Sequence, residues 1–192
     1  MRRQILPAIL MVIVLTVLLG GVYPLVVTGI SQVAFKDKAN GSMVTVNGNE
    51  VGSSLIGQSF TGDTYFWPRP SAAGDGYDAL ASAASNLGPN DATLLSDIDG
   101  RAKEYRDANG LPADAAVPVD AVTASASGLD PQISVENADL QAARVAKARG
   151  TSLEQVQGLI GQATENPSLG FLGEKAVNVL HLNLLLDQAT AG

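Results

Sequence analysis

The chain has 192 residues, a formal net charge of −7, no cysteine and a single histidine. That length holds one ordinary domain, or one domain plus a membrane segment, and the negative charge argues against a nucleic-acid binder, which carries a basic face. Without cysteine there is no disulfide, thiolate nucleophile or cysteine metal site, and His181 alone cannot build a multi-histidine metal centre.

Residues Gln4 to Phe35 include no charged side chain, and the apolar run from Ile5 to Val27 meets the roughly 20 residues that span a bilayer. Arg2 and Arg3 precede it, so the positive-inside tendency predicts a cytoplasmic N-terminus and an outer location for the bulk of the chain. A cleaved secretory signal has an apolar middle of about 7–15 residues that ends at small residues. Here the run continues past Gly20 and Gly21 into Val22–Val27, and no Ala-x-Ala site follows. An uncleaved anchor is favoured over a signal or a core helix. The expected division is a cytoplasmic N-terminus at 1–6, a transmembrane helix at 7–29 and an extracytoplasmic domain at 30–192. Pro24 removes a backbone donor and predicts a kink near the outer end. Beyond the span lie 10 basic and 19 acidic residues, a net of −9. That excess reads as solubility or, functionally, as a field that concentrates cations.

After the span, Asn47-Gly48 between Met43–Val46 and Val51–Ile56 predicts a β-hairpin, because both turn positions tolerate positive φ. Tyr65-Phe66-Trp67-Pro68-Arg69-Pro70 holds the only tryptophan, and its two prolines exclude a central strand. This stretch is either a core aromatic cluster ending at a rigid loop or an anchor for a partner through Trp67 and Arg69, residue types that dominate interface hot spots. A helix is predicted over Ala92–Ala108, capped by Asn90 or Asp91 and closed by Asn109-Gly110. Val117–Asp120 reads as extended around Pro118.

Within 123–134 (TASASGLDPQIS), Ser127-Gly128 predicts a turn, Asp130-Pro131 a helix start, and Ala124–Gly128 a close packing of backbones. Ser134 caps a predicted helix that runs to Arg149, with Gly150 as its terminator. Thr151 and Glu154 form a capping box for a helix ending near Asn166-Pro167. Short strands at Leu169–Leu172 and Val177–Leu180 precede a final apolar turn with Leu184–Leu186. The whole reads as an α+β domain behind one N-terminal transmembrane helix, with the strand order open.

No phosphate loop, H-E-x-x-H or G-x-S-x-G sequence occurs. Asp37-Lys38-Ala39-Asn40 has the Asp-Lys of a P-type phosphorylation sequence without its Thr and Gly, and reads as a solvated connector. His181, between Leu180 and Leu182, reads as a packing histidine. No catalytic or metal-binding residue is expected.

The motifs YFWPRPSA, ASAASNLGP at 81–89, VPVDAVTASASGLDPQIS, QAARVAKARG and VNVLHLNLLLD occur in this order. With the single N-terminal span, the chain resembles the C subunit of the Kdp-type potassium-transporting ATPase over nearly its whole length. Ala126 stands where that family usually has Gly, and Gln132 where His is common.

The resemblance implies a non-enzymatic accessory subunit in the bacterial inner (plasma) membrane. Its implied partners are a channel-like potassium-translocating subunit, a P-type ATP-hydrolysing subunit and a small stabilising membrane peptide, with lipid around the anchor. It also implies a catalytic-chaperone role in which a glutamine contacts ATP through a ternary complex with the pump subunit. Gln141 is the candidate glutamine, with Arg144 three residues on along the same helical face. The same spacing also fits a solvent-facing polar pair, and the predicted topology puts this helix on the side opposite cytoplasmic ATP. Trp67, Arg69 and Asp130 are the candidate contacts to partner subunits. In the reading that topology favours, the outer domain caps the potassium entrance of the channel-like subunit. The alternative is a membrane-anchored envelope structural or binding protein unrelated to transport.

Overall fold

The computed structural model describes residues 2–190; the expected ends at Met1 and at Ala191–Gly192 lie outside them. The chain forms two units, one reaching to Ser53 and a second beginning at Ser54.

In the first unit, helix α1 (Arg2–Val17) passes through a π turn (Leu18–Val22) into α2 (Tyr23–Ala34). Together they give 32 continuous helical residues from Arg3, the one helix among the described residues long and apolar enough to cross a membrane. At about 1.5 Å per residue they extend roughly 48 Å, beyond the ~30 Å hydrocarbon layer. Leucine, isoleucine and valine side chains stand exposed along it. Pro24 sits at the start of α2, directly after the π turn, where the Tyr23 N–H reaches the Leu18 carbonyl. The helix thus takes up the missing proline donor by widening one turn. A short helix α3 (Lys36–Ala39) follows.

Strands β1 (Met43–Val46) and β2 (Asn49–Ser53) pair antiparallel around Asn47-Gly48, whose φ values are 51° and 82°. This is the predicted hairpin. Its second strand ends at Ser53 instead of reaching Ile56, and a register shift falls between Val44 and Thr45.

The second unit contains α4 (Ala92–Asn109), α5 (Val119–Val122), β3 (Gln132–Ser134), α6 (Val135–Arg149), α7 (Leu153–Ala163), β4 (Thr164–Glu165), β5 (Ala176–Asn178) and α8 (Val179–Thr190). The strands form an antiparallel sheet in the order β3-β5-β4, with Ile133 and Thr164 both opposite Val177. The core takes Ala138, Ala142 and Val145 from α6, Val156, Ile160 and Ala163 from α7, and Val179, Leu182 and Leu186 from α8. These three-, four- and seven-residue spacings are the stripe that a 3.6-residue repeat lays on one side of a helix. Phe66, fully buried, enters the same core from the irregular segment before α4.

Several predicted boundaries are corrected. The Asp91 carboxylate caps α4, accepting from the Thr93 and Leu94 N–H groups. The stretch 117–120 is not extended throughout, because Pro118 biases only its predecessor and can itself open α5. Pro131 leads into strand β3 instead of starting a helix; Asp130 Oδ1 accepts from the Gln132 N–H and turns the chain toward β5. Ser134 caps α6 as predicted, accepting from the Asn137 N–H.

The next capping box is Ser152 with Gln155, one residue after the predicted pair. Thr151 is unavailable because its N–H closes α6 on the Ala146 carbonyl, with Gly150 left-handed. Helix α7 stops at Ala163 because Thr164-Glu165 pairs with β5. Residues 169–172 form a turn closed by a Ser168–Leu172 bridge. Val179 and Leu180 are helical, since the Asn178 side chain accepts from the His181 N–H and starts α8 there; the expected apolar turn is part of this helix. His181 is exposed and not a packing residue, because the buried stripe of α8 passes through Leu180, Leu182 and Asn183.

Candidate functional site

Pro68 and Pro70 bar the Tyr65–Pro70 segment from a strand ladder, so its backbone groups need other partners. Two helices supply them through side-chain amides. Asn183 of α8 accepts from the Phe66 N–H at 2.9 Å and donates to the Phe66 carbonyl at 3.1 Å. Gln141 of α6 does the same for Trp67, accepting at 2.7 Å and donating at 3.2 Å. Each amide imitates one rung of a β-ladder, and both are about 1% exposed.

Arg144 completes the clamp. Its Nε donates to Asn109 Oδ1, its Nη1 to the carbonyls of Gly62, Asp63 and Tyr65, and its Nη2 to Gln141 Oε1. The guanidinium also lies 4.3 Å from the Trp67 ring centroid, a cation–π stack. Burial pulls the Arg144 guanidinium below its ordinary pKa, and nearby Asp63 opposes that shift.

The stripe continues toward the start of α6. Asn137 Nδ2 donates to Asp120 Oδ2, which turns Asn137 Oδ1 toward Tyr105 and Gln141. Asp120 is acceptor-only, so the amide orientation follows from the network. Asp120 also receives the Ser134 hydroxyl and N–H. Ser134, Asn137, Gln141 and Arg144 follow the helical repeat along one side of α6, next to the apolar stripe of Ala138, Ala142 and Val145. Burial, then the Asp120 charge, pushes the Tyr105 hydroxyl pKa well up.

Arg69 and Asp130 pair at 2.8 Å, each side chain about a quarter exposed. The Arg69 carbonyl accepts from the Tyr77 hydroxyl at 2.7 Å, whose pKa burial and Asp130 push up. Arg69 Nε is buried with no hydrogen-bond partner among the described residues. Gly57 and Gly128 fix this region by close approach. A Cβ at Gly57 would stand 2.6 Å from the Asp130 carbonyl oxygen, and one at Gly128, 2.7 Å from the Ala73 nitrogen and Ala83 oxygen. The predicted close packing of 124–128 is therefore met at Gly128, whose φ is 67°. Over the segment opens a cleft of about 470 Å³ lined by Trp67, Arg69, Tyr77, Arg101, Glu104 and Tyr105.

The structure thus brings the five sequence candidates into one neighbourhood. Trp67 and Arg69 face the cleft, Asp130 holds Arg69, and Gln141 and Arg144 lie beneath Trp67. The solvent-facing reading of Gln141 and Arg144 is overturned, since they are about 1% and 8% exposed. Of the aromatic stretch, Phe66 lies in the core, as the core-cluster reading expects, and Trp67 is partly buried at the cleft. Sequence reasoning missed Asn109, Asp120, Asn137 and Asn183. Only Asn183 left a signal, as the one polar residue between Leu182 and Leu184–Leu186.

A family model described as KdpC, K+-transporting ATPase, c chain, matches residues 5–188. The chain is 59% identical over 188 residues to the potassium-transporting ATPase KdpC subunit of Mycobacterium tuberculosis strain H37Rv, covering 98% of this chain and 100% of that one. The subunit of the same name from Geobacter sulfurreducens is 52% identical over 187 residues, covering 96% and 97%. That of Koribacter versatilis is 50% identical over 188 residues, covering 97% and 95%. With one membrane-length helix ahead of a mixed helix-and-sheet unit and matches that run almost end to end, the chain belongs to the KdpC family.

Proposed function

We propose that the chain is a non-catalytic accessory subunit of an ATP-driven potassium-uptake complex, anchored in the membrane by its single N-terminal helix. It works by holding a fixed surface against its partners. The observation that carries this reading is the commitment of Gln141 and Arg144 to the chain at 62–67. Those bonds present Trp67 and the Arg69–Asp130 pair as a preformed contact face, which lowers the ordering cost of association.

In this reading the partners are a channel-like potassium-translocating subunit, a P-type ATP-hydrolysing subunit and a small membrane peptide. The Arg2-Arg3 flank supports an outer location for the domain, over the potassium entrance, where the acidic excess raises local cation concentration. Any gain in the pump subunit's ATP affinity then passes through subunit contacts. A direct nucleotide contact by Gln141 would require it to release Trp67. The envelope-protein alternative gains no support from relatives named as transport subunits.

Copurification tests the assembly. The full chain, tagged and extracted in mild detergent, is expected to bring down the P-type and channel-like subunits, and Trp67→Ala with Arg69→Ala to lower their recovery. Recovery of the wild-type chain without either subunit would overturn the proposal.

A further inference from the structure

The connection between β4 and β5 carries Asn166-Pro167-Ser168-Leu169-Gly170-Phe171-Leu172-Gly173, a run without a charged residue in an acidic chain. Ser168 and Leu172 exchange both backbone hydrogen bonds at 2.9 Å and close a tight turn. Leu169 sits at φ 55°, a left-handed conformation that a leucine resists. Leu169, Phe171 and Leu172 are 83%, 74% and 53% exposed. Single exposed apolar side chains are ordinary. Three on one closed turn, one of them in a disfavoured backbone conformation, form a small apolar tip.

Two observations favour lipid as its occupant. The anchor helix ends at Ala34 and the second unit begins at Ser54. Residues 35–53 span at most roughly 65 Å even if fully extended, so the bilayer is presented to the tip at high effective concentration. The tip's composition also discriminates between occupants. Leu is under-represented among protein hot spots, which favour Arg, whereas Leu and Phe, together with Trp, are side chains that surface-lying segments bury in a lipid interface. The tip has two leucines and one phenylalanine, no Arg, and no charge to desolvate.

We propose that the 167–173 tip inserts into the interfacial layer of the bilayer that holds the anchor helix, giving the domain a second membrane attachment. This requires the anchor but neither the pump partners nor a particular orientation, so failure of the copurification test leaves it standing.

The natural absence of cysteine makes Phe171→Cys a unique labelling site on an exposed position. The full chain, labelled there with bimane, is placed in phosphatidylcholine nanodiscs with or without phosphatidylcholine carrying a nitroxide near the headgroup. Fluorescence is expected to fall by about half with nitroxide lipid, because interfacial side chains sit roughly 5–10 Å into the boundary. The same label at Leu80→Cys, on a fully exposed loop position, is expected to remain bright and open to aqueous iodide. Adding Leu169→Ser and Leu172→Ser should restore iodide access at position 171. A label at 171 as open to iodide as the one at 80 would overturn the proposal. So would shielding from both quenchers in the copurified complex, which would assign the tip to a protein partner.

Discussion

Residues 62–67 and 167–173 are both irregular chain, both carry aromatic side chains, and they meet opposite fates. The first is gripped from two helices by Asn183, Gln141 and Arg144, and its Phe66 is fully buried. The second is closed by its own Ser168–Leu172 bridge and leaves Phe171 exposed. Aromatic content does not decide which loop joins the core. Buried polar side chains able to satisfy the backbone do, because an irregular segment cannot be buried with unpaired N–H and C=O groups.

The comparison breaks most readily at Arg144. Replacing it with Ala leaves the Asp63 and Tyr65 carbonyls and Asn109 Oδ1 without their donor, while the Gly62 carbonyl and Gln141 Oε1 keep only Trp67. The change is expected to destabilise the second unit by about 3–5 kcal/mol, as for several buried acceptors left unpaired at about 1–3 kcal/mol each. Arg144→Lys should recover only a small part, since an ammonium cannot reproduce the planar fork. Thermal unfolding of the full chain in detergent, followed by circular dichroism, measures both.

Tyr105 gives a smaller effect with a pH signature. Its hydroxyl pKa lies above the ordinary value of about 10 in the folded chain, so its contribution is complete below pH 10 and falls away as pH rises beyond it. Tyr105→Phe should cost about 1 kcal/mol at neutral pH through the lost bond to Asn137. It should also flatten the alkaline limb of a stability-versus-pH curve; an unchanged limb would remove Tyr105 from the network. The smallest change is expected at the tip. Leu169→Ser, Phe171→Ser and Leu172→Ser together should alter stability in detergent by no more than about 0.5 kcal/mol, as for surface positions without partners. A larger loss in the same melts would mean that the tip belongs to the core after all.

Local chemistry was the legible part of this fold. The membrane-length helix, the Asn47-Gly48 hairpin, the Ser134 cap and the Gly110 and Gly150 terminators each depend on a few neighbouring residues, and each stands where the sequence places it. Strands of two or three residues such as β3, β4 and β5 have no local signature, because they exist only through pairing with distant chain, more than 40 positions away for β3 with β5 and more than 10 for β4 with β5. That is why α7 was expected to run too long and α8 was split. The candidate site was legible as a set of residues and illegible as an arrangement. A three-residue spacing puts Gln141 and Arg144 on one side of α6, but nothing local says that this side is buried. The buried arc of α6 is wide because an apolar stripe and a polar one lie next to each other.

The π turn at Leu18–Val22 has a consequence for the membrane segment. One extra residue in a helical turn rotates everything after it by about 100° relative to a regular helix. A stripe of side chains followed along α1 is therefore displaced at mid-span and does not continue along α2. The segment behaves as two half-helices in series, each showing the lipid and its neighbours a separate profile. A companion helix lying straight alongside it would read one set of side chains in one leaflet and a different set in the other.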